Sequence, residues 1–195
     1  MVMITKNEKK VLRFILMAFG TDYSINNIAR VCGLTPNGTY KILKKFEKEG
    51  ILQYKKIANI KSYKINFDNE KTTSVLGLVL IAAIEEDRIR YRAEDLKPLR
   101  EITKICILFG SYATAKKEPS DLDALFVFDR ANYKEYKKRL ADIKDITPVK
   151  IHDVIQTEED LITNIKKKSK AVLNALKNGI ILWGQETIIR VIKNA

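Results

Sequence analysis

The chain has 195 residues, 46% of them hydrophobic and 31% charged, with a formal net charge of +12. That balance excludes a disordered chain, and the length suits one large domain or two small ones, each with enough chain for a core. The longest apolar run, residues 75–84 with Gly77 inside it, is too short to cross a bilayer, and the opening residues lack a signal-peptide core, so a soluble cytoplasmic protein with no membrane partner is expected.

Cys32 and Cys106 sit in apolar surroundings and match no metal spacing, as expected of two buried, reduced thiols. The single histidine, His152, excludes a histidine-rich metal site. Residues 1–69 carry a net +8 and the rest +4, so the cationic excess lies in the N-terminal third and points to a polyanion partner there. Lysine richness also has a plainer reading, as the dress of solvated helices.

Over residues 6–19, Val11, Leu12, Ile15, Leu16 and Phe19 recur at helical spacing and Gly20 stops the run. Ser24 is a good cap for a short second helix carrying Ile25, Ile28 and Ala29 on one side, closed by Gly33. Thr35-Pro36 reads as a cap followed by proline at the first helical position, opening a third helix to about residue 49. Thr39, Ile42, Leu43 and Phe46 form its inward stripe, leaving Asn37, Gly38, Tyr40, Lys41, Lys44 and Lys45 outward. Two strand-like runs, residues 51–58 and 60–66, then pivot near Asn59 as a basic hairpin.

Three helices and a hairpin in this order resemble the winged helix-turn-helix domains of bacterial and archaeal regulators, over about residues 5–67. The resemblance implies a double-stranded DNA partner. The third helix would enter a major groove with Thr35, Asn37, Tyr40, Lys41, Lys44 and Lys45, while Lys55, Lys56 and Lys61 of the wing touch phosphates. Winged helices also serve as protein-docking modules.

Residues 69–101 read as a linker. Residues 73–84 are apolar nearly all round, so a helix there must be covered by neighbouring domains or by a second copy of the chain, which makes a homodimer a candidate. Arg88, Arg90, Arg92 and Arg100 follow among acids and read as a solvated face.

The densest chemistry begins at Phe109-Gly110-Ser111. Nine residues later comes Asp121-Leu122-Asp123 at the head of an apolar run. Strand side chains alternate, so the two aspartates share a face and make a hard-oxygen cation site suited to Mg2+ with substrate phosphates. Glycine lets a backbone approach a phosphate, and the Ser111 hydroxyl could bind one. Downstream, residues 132–143 read as a charged surface helix, 149–155 as a strand, 157–178 as a helix, 180–184 as a brief strand, and a final helix opens near Gln185. Trp183 is either core or a base-stacking residue.

The Gly-Ser, spacer, Asp-x-Asp pattern resembles the minimal nucleotidyltransferases of the DNA polymerase beta superfamily, over about residues 102–195. The resemblance implies that Gly110 and Ser111 bind a nucleoside triphosphate, that Asp121 and Asp123 hold magnesium, and that a nucleoside monophosphate passes to a hydroxyl. The family's third carboxylate falls best on Asp153, which would act as the base, and Lys116 would neutralise triphosphate charge. The chain departs from the pattern in having Ala113-Thr114-Ala115 after the Gly-Ser pair. The expected fold is α+β: a winged helix-turn-helix (residues 1–68), a linker helix (69–101) and a small mixed-sheet nucleotidyltransferase-like domain (102–195). Three functions stay open: a DNA-binding regulator with a nucleotide-binding or transferring domain, an enzyme modifying a protein, RNA or small-molecule hydroxyl, and a non-catalytic regulator with a degenerate transferase fold.

Overall fold

A computed structural model describes residues 4–57, 60–81, 87–114, 119 and 121–195. The chain divides into two compact units, Met1–Leu80 and Ile81–Ala195, the boundary falling inside the segment read as a linker.

The first unit opens with α1 (Lys6–Leu16), begun by a reciprocal capping box. Glu8 N–H donates to the Thr5 hydroxyl, and the Glu8 carboxylate accepts from Thr5 N–H at 2.8 Å. Ser24 caps α2 (Ile25–Cys32), which ends on Gly33 in the left-handed region. Thr35 caps α3 (Pro36–Lys48) by accepting from Gly38 N–H at 3.1 Å, with Pro36 supplying a preset φ at the first position. Thr39, Leu43 and Phe46 are buried along α3, while Asn37, Tyr40 and Lys41 are exposed. The second oxygen of Glu8 accepts from Lys45 at 2.7 Å, so the acid that caps α1 also ties it to α3.

β1 (Leu52–Ile57) and β2 (Ile60–Ile65) pair antiparallel from Leu52↔Ile65 to Ile57↔Ile60. The pivot expected near Asn59 lies outside the described residues. A fourth helix, α4 (Thr72–Leu80), buries Leu76, Val79 and Leu80 and packs on α1. Its apolar character is therefore covered in part within its own unit, leaving Leu78 exposed.

The second unit is built on a four-stranded mixed sheet of order β5-β4-β3-β6. α5 (Asp87–Leu96) precedes β3 (Ile105–Phe109), and a short helix α6 (Gly110–Thr114) leads toward β4 (Asp121–Val127). α7 (Tyr133–Ile146) makes the crossover to β5 (Lys150–Gln156), the parallel neighbour of β4. Then come α8 (Glu158–Lys166), α9 (Lys170–Asn178), β6 (Ile180–Trp183) and α10 (Gln185–Asn194). The molecule is α+β.

Strand alternation sorts the two faces. Leu122, Ala124 and Phe126 of β4 and Ile151 of β5 pack with Tyr136, Leu140 and Ile143 of α7 and with Ile89 and Leu96 of α5. Arg92 is buried on α5 and pairs with Asp95 at 2.9 Å, so it does not belong to the solvated face expected of the four arginines. The opposite face, carrying Ile105, Ile107, Leu125 and Val127, is covered by α8, α9 and α10. Residues 157–178 are two helices rather than one. Lys168 turns at φ 53, and the break lets α8 lie against β5 and α10 while α9 lies against β3. Trp183 is core: it is buried beside Phe126 and its indole N–H donates to the Thr103 hydroxyl at 3.1 Å.

Candidate functional site

β3 and β4 are antiparallel neighbours in which Phe109 stands opposite Asp123. The chain leaves β3 through Gly110 at φ +68, and a side chain there would run into the Asp123 carboxylate. Glycine is thus required twice, for its left-handed backbone and for the approach of that backbone to an acid. Ser111 follows on the first turn of α6, exposed; Thr114 closes the turn by donating to Gly110 C=O at 3.0 Å. Tyr112 anchors α6 by burying its ring in the α7-side core, with the Arg88 guanidinium over that ring at 5.5 Å.

Asp121 and Asp123 share the α8–α10 face at the head of β4, both partly exposed. Among the described residues no group of three or more His, Cys, Asp or Glu side chains is placed to hold a metal ion. The candidate donor set among the described residues is therefore two carboxylates, to be completed by substrate oxygens. This fits magnesium, which is usually held by one or two carboxylates plus phosphates.

Asp153 does not join them. β5 runs parallel to β4 with Asp121↔Lys150, Asp123↔His152 and Ala124↔Asp153, so Asp153 lies on the α7 face with Ala124. There it accepts from Lys144 at 2.8 Å and from the Tyr136 hydroxyl at 3.3 Å, with Lys137 at 3.5 Å. Burial alone would raise its carboxyl; the Lys144 hydrogen bond and the charges of Lys144 and Lys137 outweigh that and hold it below the ordinary value. Burial, reinforced by the Asp153 charge, pushes the Tyr136 phenol far up. The expectation that Asp153 completes the acidic set is corrected by this register. The neighbours that β5 does supply are Lys150 and His152, the latter with Nδ1 at 3.6 Å from Asp123 Oδ1. Lys116 lies outside the described residues.

A cavity of about 390 Å³ lined by Phe128, Arg130, Tyr133 and Gln156 lies at the other end of β4 and β5 from the aspartates.

In the first unit the residues expected to face nucleic acid divide by their partners. Lys44 and Lys61 converge on Glu47, at 2.8 and 3.3 Å, and the Tyr63 hydroxyl donates to the same carboxylate at 2.9 Å. Lys45 holds Glu8, Lys55 holds Asp22 at 2.9 Å, and Lys61 also sits 3.5 Å over the Tyr54 ring. The Lys44 hydrogen bond, helped by Tyr63 and Lys61 against some burial, holds the Glu47 carboxyl below its ordinary range. Lys41 and Lys56 carry no ion pair among the described residues. Thr35 spends its hydroxyl on the α3 cap. Sequence reasoning missed these acids; Glu47 three residues after Lys44 was the visible signal.

Residues 95–183 match the model of the family described as polymerase beta, nucleotidyltransferase. The matched stretch runs from the end of α5 to the end of β6 and contains Gly110, Ser111, Asp121 and Asp123. The match supports a nucleotidyltransferase-type domain in the second unit. No curated protein and no solved structure matches the chain. Among the described residues no helix is long and apolar enough to cross a membrane.

Proposed function

We propose that the second unit binds a nucleoside triphosphate with magnesium and transfers its nucleoside monophosphate to a hydroxyl, in a protein whose first unit is a winged helix that binds double-stranded DNA. The observation that carries the first half is the placing of Asp121 and Asp123 on one face against Gly110, within a stretch that matches the family. Asp121 and Asp123 would hold the cation, which supplies positive charge to the phosphate oxygens. Gly110 and Ser111 bind the leaving phosphates. The acceptor oxygen bonds to the α-phosphorus, the bond to the bridging oxygen breaks, pyrophosphate departs, and the acceptor proton passes to water at the exposed rim.

Three facts support the DNA half: the helix, helix, helix, hairpin order, the exposure of Asn37, Tyr40 and Lys41 on α3, and the +8 balance of residues 1–69. The protein then acts as a regulator-like DNA binder with a nucleotide-handling domain. A second reading, nucleotide binding without transfer, is favoured by one observation: β5 brings an imidazole and no third carboxylate to the aspartate pair. Incorporation of α-labelled nucleotide separates the two. Asp123→Ala is expected to reduce incorporation at least a hundredfold, about 2.7 kcal/mol of barrier, with the circular-dichroism spectrum unchanged. Label incorporation that survives Asp123→Ala excludes the transferase reading.

A further inference from the structure

The sheet order gives the two acids unlike neighbours on either side. On one side β3 ends opposite Asp123 and hands the chain to Gly110 and Ser111. On the other, β5 sets Lys150 beside Asp121 and His152 beside Asp123. In phosphoryl transfer the attacking and leaving oxygens lie roughly in line across the phosphorus. With the leaving phosphates at Gly110 and Ser111, as proposed above, the attacking hydroxyl approaches from β5.

That face has a definite chemistry. Lys150 is exposed, the His152 side chain is 48% exposed, and Val154 beyond them is 41% exposed. The strand's one carboxylate, Asp153, is turned to the α7 face and taken by Lys144 and Lys137. Asp121 and Asp123 belong to the donor's cation. A cationic acceptor would therefore meet an ammonium with no spare acid beside it. A phosphate-bearing acceptor would meet the Lys150 ammonium and an imidazole N–H, two donors on one face.

We infer that Lys150 and His152 form the acceptor side of the site and select a hydroxyl carried next to a phosphate, as on a sugar phosphate or at an RNA 3′ end. This rests on the nucleotidyltransferase reading, and the test keeps the two apart. His152 is the protein's sole histidine, so its imidazole resonance reports on this face alone. The full chain is first titrated by calorimetry with magnesium and an α,β-methylene nucleoside triphosphate; absence of binding overturns the nucleotide site and this inference with it. The loaded protein is then titrated with glycerol 3-phosphate, with the trinucleotide UpUpU, and with ethanolamine, following the His152 resonance.

A saturable shift with either phosphate supports the inference, and which of the two binds tighter names the source. Lys150→Met, which removes the ammonium without setting a new carboxylate beside Asp121, is expected to weaken that binding roughly tenfold, read on protein first shown by calorimetry to be loaded with nucleotide. With nucleotide bound, three results overturn the acceptor assignment alone: an unmoved resonance with both phosphates, tighter binding of ethanolamine, or an unchanged phosphate titration in Lys150→Met.

Discussion

Asp153 and Asp123 differ by one strand and one face, and that difference decides their roles. Asp123 stands against Gly110 at the rim, whereas Asp153 is a structural anion between α7 and β5. Asp153→Asn is therefore expected to cost about 1–2 kcal/mol of stability at neutral pH, the half-exposed lysines limiting the loss, and to leave magnesium–nucleotide binding intact. Because the folded carboxyl lies below its ordinary 3.8, its stabilisation is fully present above that value and is lost as pH falls through the lower folded value. Urea unfolding should show the gap between the parent protein and Asp153→Asn narrowing below that window. A stable Asp153→Asn protein that no longer binds nucleotide would contradict the assignment. The true face was legible in principle: Val149, Ile151 and Ile155 alternate with Asp153 as the inward set, and Lys150, His152 and Val154 as the outward one. Asp153 stands within an apolar, β-branched run, and period two places it with the core.

At the scale of the element, most boundaries could be read because capping is local. Ser24, Thr35 and Thr157 each accept a backbone N–H at the start of their helices. The break at Lys168 was not legible, since it answers to where β3, β5 and α10 lie and not to the residues around it. The Glu47 cluster is likewise tertiary: one carboxylate on α3 gathers Lys44, Lys61 and the Tyr63 hydroxyl, and so fixes the hairpin against the helix. If the first unit binds duplex as proposed, this carboxylate holds those lysines back from phosphates. Glu47→Gln is expected to cost about 1 kcal/mol of stability, to tighten binding to random-sequence duplex, and to steepen its salt dependence by about one unit for each lysine released. Fluorescence anisotropy at several salt concentrations measures both effects. Weaker duplex binding in a folded Glu47→Gln protein would show instead that Glu47 orders the lysines for contact.

For the whole molecule, the charge and the motif residues divide as the chain divides into its two units. The cationic excess lies in residues 1–69, within the first unit, and the Gly-Ser and Asp-x-Asp residues all lie in the second. Their spacing could be read because the two motifs lie at the end of β3 and the head of β4, strands that follow one another in the sequence. The partners on β5 could not, because they arrive through the α7 crossover. Isothermal titration of the full chain with each nucleoside triphosphate and magnesium, set beside Asp121→Ala/Asp123→Ala, asks most directly whether the second unit is a working nucleotide site. Binding that requires magnesium and is lost in the double variant, with its thermal unfolding unchanged, is the expected result. Binding unaltered in the double variant, or no binding of any triphosphate to the parent protein, would contradict it.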